Sequence, residues 1–144
     1  MAKYPQTFPE VFHGGPAIIR WFSRKEAPCG FFFADRLEVA ESWATETATS
    51  GGGYVVSAEV ILLDPLVIEA GGAHWSEVPD PWDSDSEREI DAIARDAEAA
   101  GFDGVVIHQV QDGADTMNGA TNTTIIAFHP KQVRIVNPAA AGSP

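Results

Sequence analysis

The sequence predicts an α+β fold, a curved or split sheet with two or three helices at its edges. Two observations predict it: stretches of strand character outnumber helical ones, and most are too short and too closely spaced for βαβ units. At 144 residues, 44% of them hydrophobic, the chain fills one domain with a real core. That domain is expected to span 1–138, with 139–144 as a flexible tail.

The elements follow in order. Phe8-Pro9-Glu10-Val11-Phe12-His13 reads as a short strand, ended by Gly14-Gly15-Pro16. Pro16 suits the first turn of a helix, where its missing N–H is not needed. Ile18, Ile19 and Phe22 then share one helical face, with Trp21 beside it. Gly30–Ala34 is a compact aromatic strand. Asp35, with Glu38 three residues on, reads as the N-cap of a capping-box variant. Leu37, Ala40 and Ala44 repeat at helical spacing with Trp43 on the flank, and Gly51-Gly52-Gly53 closes the segment. Tyr54–Leu62 is a strand by β-propensity and alternation, Asp64-Pro65 bends the chain, and Leu66–Ile68 is a second short strand. Residues 71–89 are rich in Pro, Ser and acids and read as a loop or lid carrying Trp75 and Trp82. Ser86 with Glu89 forms another capping box, and Ile90, Ile93, Ala94 and Ala97 make the apolar face of a helix that ends at Gly101. Val105–Val110 is a strand, 111–122 a polar loop, and Thr123–Phe128 a further strand. His129-Pro130 turns the chain into Val133–Val136, and fraying is expected from Asn137.

Composition narrows the function. The formal net charge is −12, from 21 acidic and 9 basic residues, and such a surface repels phosphate backbones. Nucleic acid is therefore not expected as the main partner. The single cysteine, Cys29, excludes a disulfide framework and disfavours a cysteine-based zinc site. No apolar run approaches the roughly 20 residues that span a bilayer, and Met1–Gln6 lacks the apolar stretch of a secretory signal. The chain reads as a soluble, cytoplasmic protein without a membrane partner.

Phosphate loops of the Walker type, G-x-G-x-x-G, H-E-x-x-H and the nucleophile elbow are all missing. His13, His74, His108 and His129 show no metal-ligand spacing, so no metal is expected. His13 stands apart because Gly14-Gly15 follows it at a strand end, where glycine lets a ligand approach the backbone and use its N–H and C=O. Gly30-Phe31-Phe32-Phe33-Ala34 offers flat aromatic faces on alternating sides, and Trp43 adds another. Such surfaces suit a flat aromatic amide such as nicotinamide, although composition alone favours reading them as core.

The order of these pieces resembles the ADP-ribosyltransferase superfamily, in its diphtheria-toxin and poly(ADP-ribose)-polymerase branch. Val11-Phe12-His13-Gly14 is similar to that branch's strand ending His-Gly. Gly30–Asp35 is similar to its Gly-x-Tyr-Phe-Ala/Ser/Thr-Asp, which leads into a helix with a second aromatic, here Trp43. Val60–Ile68 with Asp64-Pro65-Leu66 resembles its Asn/Asp-Pro-Leu segment, and Gly101-Phe102-Asp103-Gly104 its Gly-Tyr-Asp-Gly turn. The close, Ile125-Ile126-Ala127-Phe128-His129-Pro130-Lys131-Gln132-Val133, resembles valine-x-phenylalanine-x-Pro-x-Gln-Ile/Val. The likeness covers about residues 10–136, and the succession also resembles the small transferase domains of phage and mobile-element polyvalent proteins and other small phage-encoded transferases, of which some act against host defences.

The resemblance implies an ADP-ribosyltransferase-like fold and NAD as co-substrate. His13 then matches the histidine that holds the adenosine-side hydroxyls of the nicotinamide ribose, and Gly14 the glycine whose backbone pairs with the carboxamide. Phe32 stands where the family tyrosine stacks on nicotinamide, and Trp43 where the second stacking aromatic lies, so that Gly30, Phe32, Phe33 and Trp43 join His13 and Gly14 in the pocket. The family glutamate of the late strand is replaced by Thr123 or Thr124. Threonine accepts a hydroxyl's hydrogen bond but is neither a general base nor a counter-charge. Asp112, or else Asp115, on the preceding loop is a substitute carboxylate. Alternatively the enzyme transfers a single ADP-ribose without that acid. The catalytic set is thus His13, Phe32, Asp112 and Thr124, with 71–89 covering the site or docking the acceptor. The implied activity is mono-ADP-ribosylation of a protein acceptor, in phage proteins a host factor. A catalytically degenerate binding domain on the same fold and an NAD glycohydrolase remain the alternatives.

Overall fold

The computed structural model describes residues 5–16, 19–47, 53–114 and 117–140. β1 is Gln6–Gly15, β2 Phe31–Ala34, α1 Leu37–Thr47, β3 Tyr54–Leu62 and β4 Pro65–Glu69. β5 (Val78–Asp80) and β6 (Asp83–Arg88) form a hairpin ahead of α2, Ile90–Ala99. β7 is Gly104–Val110, β8 Asn122–Ala127 and β9 Val133–Ala140. Seven strands make one sheet in the order β4-β7-β8-β2-β1-β3-β9, and β5-β6 stands apart. The fold is α+β, as the sequence predicts. Among the described residues β4 and β7 make a βαβ unit, parallel and joined through the hairpin and α2. No helix among the described residues is long and apolar enough to cross a membrane.

β7 and β8 lie inside the sheet and are buried on both faces, which is why Val105–Ile107 and Ile125–Ala127 read as unbroken apolar runs. Val105, Ile107 and Ile126 face α2, whose Ile90, Ile93, Ala94 and Ala97 are all buried against them. The alternate residues Val106, Ile125 and Ala127 face a second core with Val11, Phe31, Phe33, Ala58, Val60 and Leu62. Ala40 and Ala44 of α1 close over Val55, with Phe12 packed against them.

The motifs near the ends of the sheet are structural ties. The Asp103 carboxylate accepts the backbone N–H groups of Leu63 (2.6 Å) and Asp64 (2.8 Å), locking the β3–β4 bend to the turn before β7. Gln132 Oε1 accepts the N–H of Phe128 and of His129 while its amide donates to the Asp103 carbonyl.

Several expectations are corrected. The helix expected from Pro16 falls partly on residues 17–18, outside the described residues, and residues 19–23 are not helical. Phe22 instead packs edge-on to Phe31 and His13, with ring centroids 5.2 and 5.8 Å away. Asp35 does not cap α1: its carboxylate accepts the Thr123 N–H at 2.9 Å, while Glu38 pairs with Arg36. Ser86 does not cap α2 either. Its hydroxyl bonds Asp80 and Asp83 within the hairpin, and the N-cap residue Glu89 makes no side-chain cap bond. The 71–89 segment is built around a hairpin rather than an irregular loop, and β9 continues past Asn137 to Ala140 on β3. Residues 141–144 lie outside the described residues.

Candidate active site

The sheet is split at its middle. Among the described residues β1 and β2 pair at one register, Phe12↔Ala34. From there the ladder would continue through residues 13–15 and 31–33, but the strands part. A cavity of about 300 Å³ lies in the parting, at the small end of the roughly 300–1,000 Å³ typical of small-molecule sites. β1 contributes Phe12, His13 and Gly14, β2 Phe32, Phe33 and Ala34, and α1 Val39, Ala40 and Trp43. Trp75, Ile90 and Asp91 form a second wall, and Asp112 enters from the loop after β7.

His13 bridges the split. Its Nδ1 lies 2.7 Å from the Phe32 carbonyl oxygen, which can only accept, so Nδ1 carries the hydrogen and donates. Burial holds the imidazole pKa below its usual value, with the Phe32 carbonyl opposing. The ring is therefore neutral at pH 7. Nε2, which takes no hydrogen bond among the described residues, is left as an acceptor suited to a hydroxyl. Edge contacts to Phe22 and Phe33, at 5.8 and 6.0 Å between centroids, fix the ring.

Gly14 lines the cavity, and it has a packing role that the sequence did not indicate. A Cβ there would stand 1.8 Å from the Ala40 carbonyl oxygen, so α1 rests directly on its bare backbone. Strand alternation puts Phe31 and Phe33 into the core and leaves Phe32 half-buried, packed on the α2 side and facing the cavity. Trp43 supplies an apolar wall while its indole N–H donates to the Asp112 carbonyl oxygen. It thus holds the loop that carries the acid.

Asp112 is the focus of a closed polar network. Thr124 Oγ1 donates to Asp112 Oδ2 at 2.7 Å, Asn122 Nδ2 donates to Thr124 Oγ1 at 3.0 Å, and the Asp112 N–H donates to Asn122 Oδ1 at 3.2 Å. Ser42 Oγ accepts the Ala114 N–H, pinning the same loop to α1. Burial pushes the Asp112 carboxyl up to about 7; the Thr124 bond opposes this and the Asp91 charge adds to it. Near neutral pH it exchanges between an acid and a base poised in an apolar cavity.

The structure thus brings His13, Gly14, Phe32, Phe33, Trp43 and Asp112 to one cavity, and it separates two expected members from them. Thr124 is fully buried behind Asp112 and does not line the cavity, so it acts on the site through the aspartate. Gly30 does not line it either. Its φ of +112° and the contacts a Cβ would make, 2.8 Å to Ile126 Cγ2 and 2.9 Å to the Ala127 oxygen, make it a packing glycine. Asp115 lies outside the described residues. Of the two tryptophans assigned to a lid, Trp75 lines the cavity and Trp82, at the hairpin turn, does not.

Asp91 was not singled out in the sequence. The Trp75 N–H donates to the Gln111 carbonyl and its own carbonyl accepts the Ile90 N–H. These two bonds seat the first turn of α2, and with it Asp91, on the cavity. Burial and the neighbouring Glu89 raise the Asp91 carboxyl, while Arg95 opposes.

A family model described as ADP-ribosyltransferase in polyvalent proteins matches residues 8–140, which include both walls of the cavity. No curated protein and no solved structure matches the chain.

Proposed function

The chain belongs to the ADP-ribosyltransferases of polyvalent proteins, and from that premise we propose that it moves a single ADP-ribose from NAD, the co-substrate of such domains, to a protein acceptor. The observation that carries the proposal is the convergence of His13, Gly14, Phe32, Trp43 and Asp112 on one cavity at the split of the sheet. The cavity's volume suits the nicotinamide end of a dinucleotide rather than the whole molecule.

Breaking the bond from ribose C1′ to nicotinamide sends the electron pair to the ring nitrogen and leaves positive charge on the ribose. Phe32 and Trp43 clamp the flat ring, and the Gly14 backbone holds its amide. His13 Nε2 accepts a ribose hydroxyl. Asp112 replaces the family glutamate: ionised, it faces the developing charge in an apolar setting where attraction is screened little. The enclosing aromatic walls limit water while the acceptor attacks.

The test uses labelled NAD and a bacterial lysate, the source of host factors that the phage-type resemblance suggests, with the parent protein and His13→Ala side by side. Discrete labelled protein bands, lost in the variant, are the expected result. Nicotinamide release without bands makes the protein a glycohydrolase. NAD binding with neither signal makes it a binding domain.

A further inference from the structure

The wall formed by Trp75, Ile90 and Asp91 does no more in the chemistry above than help to exclude water. We propose that Trp75 and Asp91 bind the acceptor, and that the group they take is a guanidinium, the side chain of a protein arginine. This inference rests on the transferase reading and names the acceptor for the same cavity.

Charge selects a cation. Asp91 and Asp112 both line the cavity, Glu89 is close enough to raise the Asp91 carboxyl, and Asp91 in turn raises that of Asp112. Arg95 is the nearby cation that offsets Asp91. The Asp112 network occupies Oδ2, and Oδ1 takes no hydrogen bond among the described residues. A carboxylate or phosphate acceptor entering this space meets like charge, whereas a cation relieves the repulsion already present.

The lining selects among cations. Apart from His13 and the two carboxylates, the cavity is faced by aromatic and aliphatic groups, among them the Trp43 and Trp75 indoles. An ammonium is strongly hydrated and loses that hydration on entry. A guanidinium is flat and weakly hydrated, stacks on an indole face and presents paired N–H donors to a carboxylate.

The transfer then balances. The C1′–N bond to nicotinamide breaks and neutral nicotinamide leaves with the electron pair. A guanidinium nitrogen supplies the pair for the new C1′–N bond and gives its proton to the Asp91 carboxylate. Asp91, on the solvent side of α2's first turn, releases that proton to water. The product keeps the positive charge of the guanidinium.

The experiment supplies the full chain with NAD and, in parallel, N-acetylarginine amide, N-acetyllysine amide or N-acetylserine amide. Both the adduct and free nicotinamide are quantified. The expected result is an adduct with the arginine amide in preference to the other two. The adduct-to-nicotinamide ratio should fall about tenfold in Asp91→Asn, the scale of one charge-assisted hydrogen bond, and recover in part in Asp91→Glu. Taking a ratio within each variant separates acceptor capture from any loss of folded protein. Nicotinamide release with no arginine adduct overturns the guanidinium assignment and leaves the transferase reading standing. An adduct that favours lysine or serine, or a ratio unmoved in Asp91→Asn, does the same. No nicotinamide release under any condition overturns both.

Discussion

Replacing Asp112 by asparagine separates two consequences of placing a carboxyl in the cavity. Asparagine has nearly the same shape, and its carbonyl oxygen can still accept the Thr124 hydroxyl that reaches Asp112 Oδ2 at 2.7 Å. What it removes is the charge. The Asp112 carboxyl is pushed from 3.8 to about 7, so between those values the folded protein holds a proton that the unfolded chain has released. Stability therefore falls as pH rises through that window and is level above about 7. At about 1.36 kcal/mol per pH unit, the displacement from 3.8 to about 7 sets a ceiling of about 4 kcal/mol. Asp112 keeps part of its surface on the open cavity, and solvent there reduces the realised penalty to about half, ~2 kcal/mol. Asp112→Asn is accordingly expected to exceed the parent in stability by about 2 kcal/mol at pH 8 and not at all near pH 3, read from urea unfolding across that range. Its nicotinamide release should fall about 10²- to 10³-fold, the cost of losing one preorganised electrostatic group. A variant less stable than the parent at pH 8, or one whose advantage does not grow with pH, refutes the argument from buried charge. Undiminished nicotinamide release refutes the assignment of Asp112 to the chemistry.

Two further outcomes follow from the packing. Thr124→Val keeps the shape of a buried side chain and deletes the hydroxyl that holds the Asp112 carboxyl down, so the midpoint of the pH–rate profile should rise from about 7 by on the order of one unit. An unmoved midpoint reduces Thr124 to core packing. Gly14→Ala forces a methyl against the Ala40 carbonyl and should cost about 3 kcal/mol or more, visible as a lowered thermal midpoint. A melt indistinguishable from the parent's shows that α1 can move away from β1 without penalty.

What the sequence disclosed follows the range of the interactions concerned. The α2 face could be read residue by residue because Ile90, Ile93, Ala94 and Ala97 repeat at helical spacing and all four are buried. β3 was legible from its alternation and β7 from its apolar run. Both capping boxes failed because the side chains find partners away from the helix they precede: Asp35 takes Thr123 on the neighbouring strand, and Ser86 takes Asp80 and Asp83 within its hairpin. The apolar spacing after Pro16 suits a helix, yet Phe22 is drawn into the aromatic cluster of His13, Phe31 and Phe33. At the site, His13, Phe32 and Trp43 were legible because they sit in short ordered motifs. Asp112 was legible because it shortly precedes the strand where an acid was expected. Asp91 was not, since its place depends on the Trp75 backbone bonds to Gln111 and Ile90, which leave no mark on composition or spacing.

The contact between Asp112 and Thr124 bears on how such a site changes over generations. A glutamate at position 124 and an aspartate at position 112 would both bring a carboxylate to nearly the same space, because the two side chains already touch. The acid can therefore migrate from strand to loop by two substitutions. The order matters. If Asp112 acts as proposed, losing the strand acid first would remove the only carboxylate from that space, whereas gaining the loop acid first would leave two carboxyls sharing one proton. On the proposed role of Asp112, the physically open route is the one through a doubly acidic intermediate. A search by the position of an acid along the chain would then pass over a sequence that holds the same charge in the same place.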